Sequence, residues 1–110
     1  MTTPIEVTCA DIKAKLDAGE PLLLVDCREP EEHTIVNLPA ARLIPLAEIP
    51  GNVAEIAAVG ETPVVIHCHH GMRSLQAANW LRQNGVEHAQ SMAGGIDAWS
   101  ETIDPALPRY

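Results

Sequence analysis

The sequence predicts an α/β protein built on a parallel sheet with helices on both faces. Two observations carry this. Leu22-Leu23-Leu24-Val25 and Val64-Val65-Ile66 are continuous apolar runs, as strands buried on both faces require. Segments with helical apolar spacing alternate with extended segments along the chain, the pattern of crossover connections in a parallel sheet. The 110 residues, 46% of them apolar, suffice for one modest core and predict a single domain over residues 1–110. With no Phe, and Trp80, Trp99 and Tyr110 as the aromatic residues, that core is aliphatic.

The elements follow in order. Ile5-Glu6-Val7 is a short extended piece. Thr8 has N-cap chemistry with Asp11 three residues on, and Ile12 and Leu16 share a helical face up to Gly19. Cys9, in the first turn, is read as a small apolar filler. The Leu22–Val25 strand ends in Asp26-Cys27-Arg28, at the strand end where parallel sheets place their sites. Asp26 and Arg28 suit an ion pair or loop cap there. Glu29, Glu31, Glu32 and His33 read as a solvated helical turn after Pro30. Ala40 to Leu46 reads as a third strand stopped by Pro45, and Pro50-Gly51 leads into a helix over Val53 to Ala58. After the central strand, Ser74 to Asn84 reads as a helix ended by Gly85, with Ser74 as its cap. His88 to Met92 is a short strand, and Ala93-Gly94-Gly95 opens a last helix over Ile96 to Glu101. The tail from Asp104 to Tyr110 reads as extended and irregular.

Charge narrows the function classes. The net charge of −8 argues against nucleic acid and anionic membrane as partners. No stretch is long enough to span a bilayer, and Met1-Thr2-Thr3-Pro4 begins no signal peptide. Three cysteines without paired spacing make no disulfide framework, so a reducing cytoplasm is expected. Within this acidic chain no Asp or Glu occurs between Glu61 and Glu87, a window that holds Arg73, Arg82, His67, His69 and His70. An anion site fits that window better than chance, because Cys68 and Arg73 lie inside it.

The chemistry concentrates in Val64 to Ser74. A strand here delivers Cys68 into a short loop, with Gly71 and Arg73, at a helix N-terminus. Converging backbone N–H groups and the helix dipole make an anion cradle there, and the same field favours a thiolate. Cys68 is therefore the expected nucleophile or sulfur carrier. His67 is expected to pack in the core. Neighbouring residues on a strand face opposite ways, so His67, Cys68, His69 and His70 are not expected to share a metal.

At this point the residues resemble a known family, the single-domain rhodaneses, which are thiosulfate-type sulfurtransferases. Leu24 to His33 is similar to that family's strand followed by D-x-R-x-x-x-E, and Leu38-Pro39-Ala40-Ala41 stands where it has I-P-G-A. Cys68 to Ser74 matches C-x-x-G-x-R-S, and Met92 to Trp99 is close to L-x-G-G-x-x-A-W. Val36 and Asn37 stand where the family often has Gly-His, which predicts altered access near the loop.

The resemblance implies a five-stranded parallel sheet with helices on both sides and Cys68 as catalytic nucleophile, with no cofactor and no metal. It implies that the Cys68 thiolate takes sulfane sulfur from a donor such as thiosulfate and passes it from a persulfide to cyanide or a thiol. Amides of His69, His70, Gly71, Met72 and Arg73 would surround the sulfur. Arg73 would bind the donor's sulfonate or brace the loop; Ser74 and Arg28 complete the expected substrate-binding set. The expected partners are small sulfur anions and a thiol or protein acceptor, the expected state a monomer. The tail Ile103 to Tyr110 resembles the ending of rhodanese domains fused to enzymes that activate ubiquitin-like carriers, which suggests a persulfide carrier in thiocarboxylate or molybdopterin-type pathways as the alternative. Phosphatases and arsenate reductases of the same fold are a weaker rival. Phosphatases of the cell-division type carry C-x5-R, whereas Arg73 follows Cys68 by C-x4-R and leaves the loop one residue short for a tetrahedral phosphate. Cys27, expected beside the Cys68 strand, is either a buried small residue or a sulfur or disulfide partner of Cys68.

Overall fold

The computed structural model describes residues 3–110. The reading of the N-terminus as leaderless rests partly on Met1 and Thr2, which lie outside the described residues. Five strands, β1 (Glu6–Val7), β2 (Leu23–Asp26), β3 (Ala41–Leu43), β4 (Val64–His67) and β5 (Gln90–Met92), form one sheet in the order β1-β5-β4-β2-β3. Every pairing is parallel. The helices are α1 (Cys9–Asp17), α2 (Pro30–Ile35), α3 (Val53–Ala57), α4 (Met72–Gln83) and α5 (Gly95–Thr102).

Alternation along the central strands sorts the core into two halves. Leu24 and Val65 point to the face covered by Ile12 of α1 and Ile96 and Trp99 of α5. Val25 and Ile66 point to the other face, under Ile56 of α3 and Ala77, Ala78 and Leu81 of α4. The continuous apolar runs thus have helices to meet on both sides. Both Cys27 and Cys68 belong to the α4 face, whereas Cys9 belongs to the opposite one.

Local chemistry sets most boundaries. Thr8 Oγ1 accepts from the Asp11 amide at 3.1 Å and the Asp11 carboxylate accepts from the Thr8 amide at 3.2 Å, the capping box expected for α1. β3 is shorter than the expected Ala40–Leu46, because Pro45 opens a 3-10 turn over Leu46–Glu48. Backbone pairing nevertheless runs past it: Ile44 N donates to Asp26 O and Leu46 N to Cys27 O, both at 2.9 Å. β5 starts at Gln90 rather than His88, whose ring instead bonds Thr62 O at 2.9 Å. No helix of the described residues is long and apolar enough to cross a membrane.

Candidate functional site

The site lies where β4 ends. After His67 the chain turns through Cys68 to Gly71 and enters α4 at Met72. This corrects the expectation that the helix begins at Ser74 with Ser74 as its cap. Gly71 is the N-cap, with φ of +102°, a left-handed conformation that frees the loop from a Cβ clash. Ser74 instead sits in the first helical turn with its side chain turned inward. Its hydroxyl lies 3.2 Å from Gly71 O, 2.7 Å from Ser91 Oγ and 3.4 Å from Cys68 Sγ. Gly95 closes the floor: a Cβ there would run into the carbonyl groups of Cys68 and His69. Those carbonyls accept from the amides of Ile96 (2.8 Å) and Asp97 (3.1 Å), which pins the loop to the start of α5.

Two amides reach the thiol directly. Gly71 N donates to Cys68 Sγ at 3.1 Å and Ser74 N at 3.3 Å. Of the five amides expected around the sulfur, Gly71 alone is in hydrogen-bond contact with Sγ among the described residues, and Ser74 joins it. The Cys68 side chain is buried. Its pKa is pulled down to about 4, most strongly by the neighbouring Cys27 thiol; burial opposes this, and the Ser74 hydroxyl and the two amides add to it. Cys27 moves the other way, because it holds the proton beside that thiolate and is itself buried. Cys9 behaves as the expected filler: burial raises its pKa, and its Sγ lies 3.8 Å from Gly95 O. His67 is fully buried and kept neutral by desolvation, as a core residue.

Arg73 does not face the thiol with a free guanidinium. Both its terminal nitrogens donate to Glu32, at 2.7 and 2.8 Å, so α4 and α2 are tied across the loop. Glu32 is therefore not the solvated residue expected of its helical turn; Arg73, against a smaller cost of burial, holds its carboxyl at about 2. His33 is likewise turned inward, with Nδ1 3.1 Å from Asp26 Oδ2. Arg28, expected among substrate-binding residues, is fully buried and spends its donors on the protein. It grips Asp26 through Nε (2.9 Å) and Nη2 (2.7 Å), and also reaches Val36 O (2.7 Å), Glu32 O (3.3 Å) and Tyr110 Oη (2.9 Å). The ion-pair reading of Asp26 and Arg28 describes this arrangement; direct contact of Arg28 with a substrate does not.

The C-terminal tail is part of the site. Tyr110 donates to Glu32 Oε2 at 2.7 Å, and its ring lies flat on His69 with centroids 3.8 Å apart. Arg109 binds both oxygens of Asp97 at 2.9 and 3.0 Å. Substituting Tyr110→Phe removes one bond to Glu32 and one from Arg28, at a half-exposed position. A loss of about 0.5–1 kcal/mol, read as a lower urea midpoint, is expected. An unchanged midpoint would mean that water replaces the hydroxyl without cost.

His70 stacks on the other side of His69, with its Nε2 3.7 Å from Asp97 Oδ2. Ligand atoms of His69, His70 and Asp97 lie within 4.8 Å of one another, so a cation could be offered three ligands. Arg109 already neutralises Asp97, which works against that use. Met72 is 79% exposed at the rim of the loop. A surface depression of about 740 Å³ bounded by Thr3, Lys15, Pro63 and Gln90 lies where β4 begins, whereas Cys68 follows its end.

Cys68, His69, His70, Gly71, Met72, Arg73 and Ser74 thus share one loop and helix start, and Arg28 sits behind it. Sequence reasoning missed Glu32, Ser91, Asp97 and Tyr110 as site residues. Glu32 in the D-x-R-x-x-x-E stretch, Asp97 in the Met92–Trp99 stretch and Tyr110 in the tail lay within segments singled out in the sequence, whereas Ser91 had no signal.

The model of the rhodanese-like domain family matches residues 8–102. A maize (Zea mays) protein named adenylyltransferase and sulfurtransferase MOCS3-2 is 33% identical over 109 residues, covering 94% of this chain and 23% of its own length. The chain thus spans under a quarter of that relative. Among solved structures, the human single-domain sulfurtransferase TSTD1 is 28% identical with a TM-score of 0.77, over 91% of this chain and 98% of the other. A rhodanese-like domain protein from Staphylococcus aureus is 31% identical with a TM-score of 0.78, over 100% and 99%.

Proposed function

We propose that this chain, which belongs to the rhodanese-like domain family, is a sulfurtransferase that works through a persulfide on Cys68. The observation that carries this reading is the thiol itself: a buried cysteine whose sulfur accepts from Gly71 N and Ser74 N, with its pKa pulled down to about 4. A thiolate is the nucleophilic form of cysteine, and the donors that stabilise it can stabilise charge on an added sulfur.

Thiosulfate is the donor class this site suits. The Cys68 thiolate attacks the outer sulfur, the S–S bond breaks, and sulfite departs with the bonding pair. Cyanide or a thiolate then attacks the outer sulfur of the persulfide and restores the Cys68 thiolate. His69, His70, Met72 and Gly71 line the approach, while Arg73 acts by holding the loop through Glu32 rather than by clamping the donor. The same commitment of Arg73, added to the short C-x4-R spacing, disfavours a phosphatase or an arsenate reductase. A reducing cytoplasm suits the reading because Cys68 must be a free thiol, and the proposed state is a monomer.

The second reading is a persulfide carrier that hands sulfur to a protein acceptor. What favours it is the seating of Tyr110 on His69 beside the loop, together with the likeness to the maize protein. In this reading the acceptor is a flexible chain end that can reach the persulfide past Met72.

The test is to incubate reduced protein with thiosulfate and weigh it intact, beside Cys68→Ser. The expected result is a gain of one sulfur atom, lost on adding cyanide and absent from the variant. A wild-type mass unchanged by thiosulfate and by a low-molecular-weight persulfide would overturn the assignment. A gain from the persulfide alone would move the proposal to the carrier reading.

A further inference from the structure

Cys27 stands on the strand next to Cys68. Asp26 and His67 are the last register partners of β2 and β4, held by Cys27 N donating to His67 O at 3.0 Å, so each cysteine is the first residue after its paired strand. Adjacent strands run about 4.7–4.9 Å apart, inside the Cα range of about 4.4–6.8 Å over which disulfides form. Both cysteines are free, both are buried, and both lie on the α4 face of the sheet. Gly71 and Ser74 hold Cys68 Sγ from the loop and helix, while Cys27 lies in the same buried cluster at the end of the neighbouring strand.

We propose that Cys27 is a resolving thiol for the Cys68 persulfide, which turns a stranded persulfide into a Cys27–Cys68 disulfide and releases hydrosulfide. This rests on the persulfide reading above. Cys27 sulfur attacks the inner sulfur of Cys68–S–S⁻. A Cys27–Cys68 bond forms, the bond to the outer sulfur breaks, and that sulfur leaves with the electron pair and the Cys27 proton as HS⁻. The sulfane sulfur is the oxidant: it gains two electrons, and the two cysteine sulfurs together lose two. No other oxidant is needed.

The chemistry favours the exchange once sulfur is loaded. Before loading, Cys68 carries a full negative charge, which keeps the proton on Cys27. After loading, that charge resides mainly on the outer sulfur among the loop donors, and the inner sulfur becomes electrophilic. Hydrosulfide is less basic than an alkyl thiolate and leaves more readily. A waiting acceptor competes with this step, so the disulfide forms when none arrives. A small thiol then reopens the disulfide and returns both cysteines. The Cys9 sulfur, on the opposite face beside Gly95 O, takes no part.

The experiment loads reduced protein with thiosulfate under nitrogen and removes the donor. Intact mass and released hydrosulfide are then followed together in wild type, Cys27→Ala and Cys27→Ser. Wild type is expected to pass from one added sulfur to a species two hydrogens lighter than the reduced protein, with one hydrosulfide released. Peptide mapping should join Cys27 to Cys68. Either variant should keep its added sulfur at least about tenfold longer. Persulfide that decays at the same rate in all three proteins, or a disulfide that maps to Cys9, overturns the proposal while leaving the persulfide reading intact. If no protein gains sulfur from thiosulfate or from a low-molecular-weight persulfide, the persulfide reading falls and takes this one with it. Should both variants fail to fold, wild type alone decides, because persistent persulfide with no disulfide excludes the step.

Discussion

Arg28→Met should lower the unfolding free energy by about 3–5 kcal/mol at neutral pH, the cost of leaving a buried charge without its partner. Asp26, the last residue of β2, is fully buried, and Arg28 supplies two of the three side-chain hydrogen bonds that oppose its desolvation, His33 the third. The substitution preserves apolar bulk, so the loss reports the charge rather than a cavity. It also strips a donor from Val36 O and from Tyr110 Oη, groups that tie α2 and the tail to the sheet.

The pH dependence of that loss has a definite sign. Burial alone would raise the Asp26 pKa; the Arg28 hydrogen bonds, with Arg28 N and His33, outweigh it and hold the carboxyl below its ordinary value. A depressed folded pKa contributes stability that is fully present above the unfolded value and is lost as pH falls through the folded one. Wild type should therefore lose this increment below about pH 4. In Arg28→Met the carboxyl can escape by protonation, so the gap between variant and wild type should narrow on acidification. Adding Asp26→Asn should recover part of the loss at neutral pH. Urea midpoints at neutral and acid pH check both points, and a gap that widens on acidification would refute the argument.

The elements with a local code were the legible ones. Leu23 to Val25 and Val64 to Ile66 announce buried strands because both faces need apolar side chains. Thr8 and Asp11 announce a helix start because each side chain accepts from the other's backbone amide. The short strands β1, β3 and β5 were placed within wider extended stretches, but their bounds and the sheet order have no such local signal and are set by partners far along the chain. The loop follows the same division. Cys68 and Gly71 could be assigned from a strand that ends in a tight turn. The partner of Arg73 could not, because Glu32 lies 41 residues away, and Tyr110 lies 78 residues from Glu32. Ser74 was misread as a cap because serine is a common one. A glycine with positive φ took that role and left the hydroxyl free to face the sulfur.

The Cys68 thiol should titrate near pH 4, far below an ordinary thiol. A free cysteine titrates near 8.5, so at pH 6 it is ionised to well under about 1%, whereas Cys68 would be almost fully a thiolate. Because the sulfur is buried, the ultraviolet absorbance of the thiolate reads this better than a bulky alkylating reagent. The difference between wild type and Cys68→Ser should be constant from neutral pH down to about 5, then fall to zero as the proton adds. Cys27→Ala should move the midpoint upward most, since the Cys27 thiol is the largest single contribution, and Ser74→Ala should move it less. A wild-type midpoint above about 7 would mean that burial outweighs the donors around the sulfur. The loop would then offer a neutral thiol at physiological pH, and the attack on thiosulfate would lack its nucleophile. If instead the midpoint is low and Cys27→Ala leaves it unmoved, the two amides and Ser74 suffice to hold the thiolate. The helix start alone would then supply the activation, as the convergence of N–H groups on an anion allows.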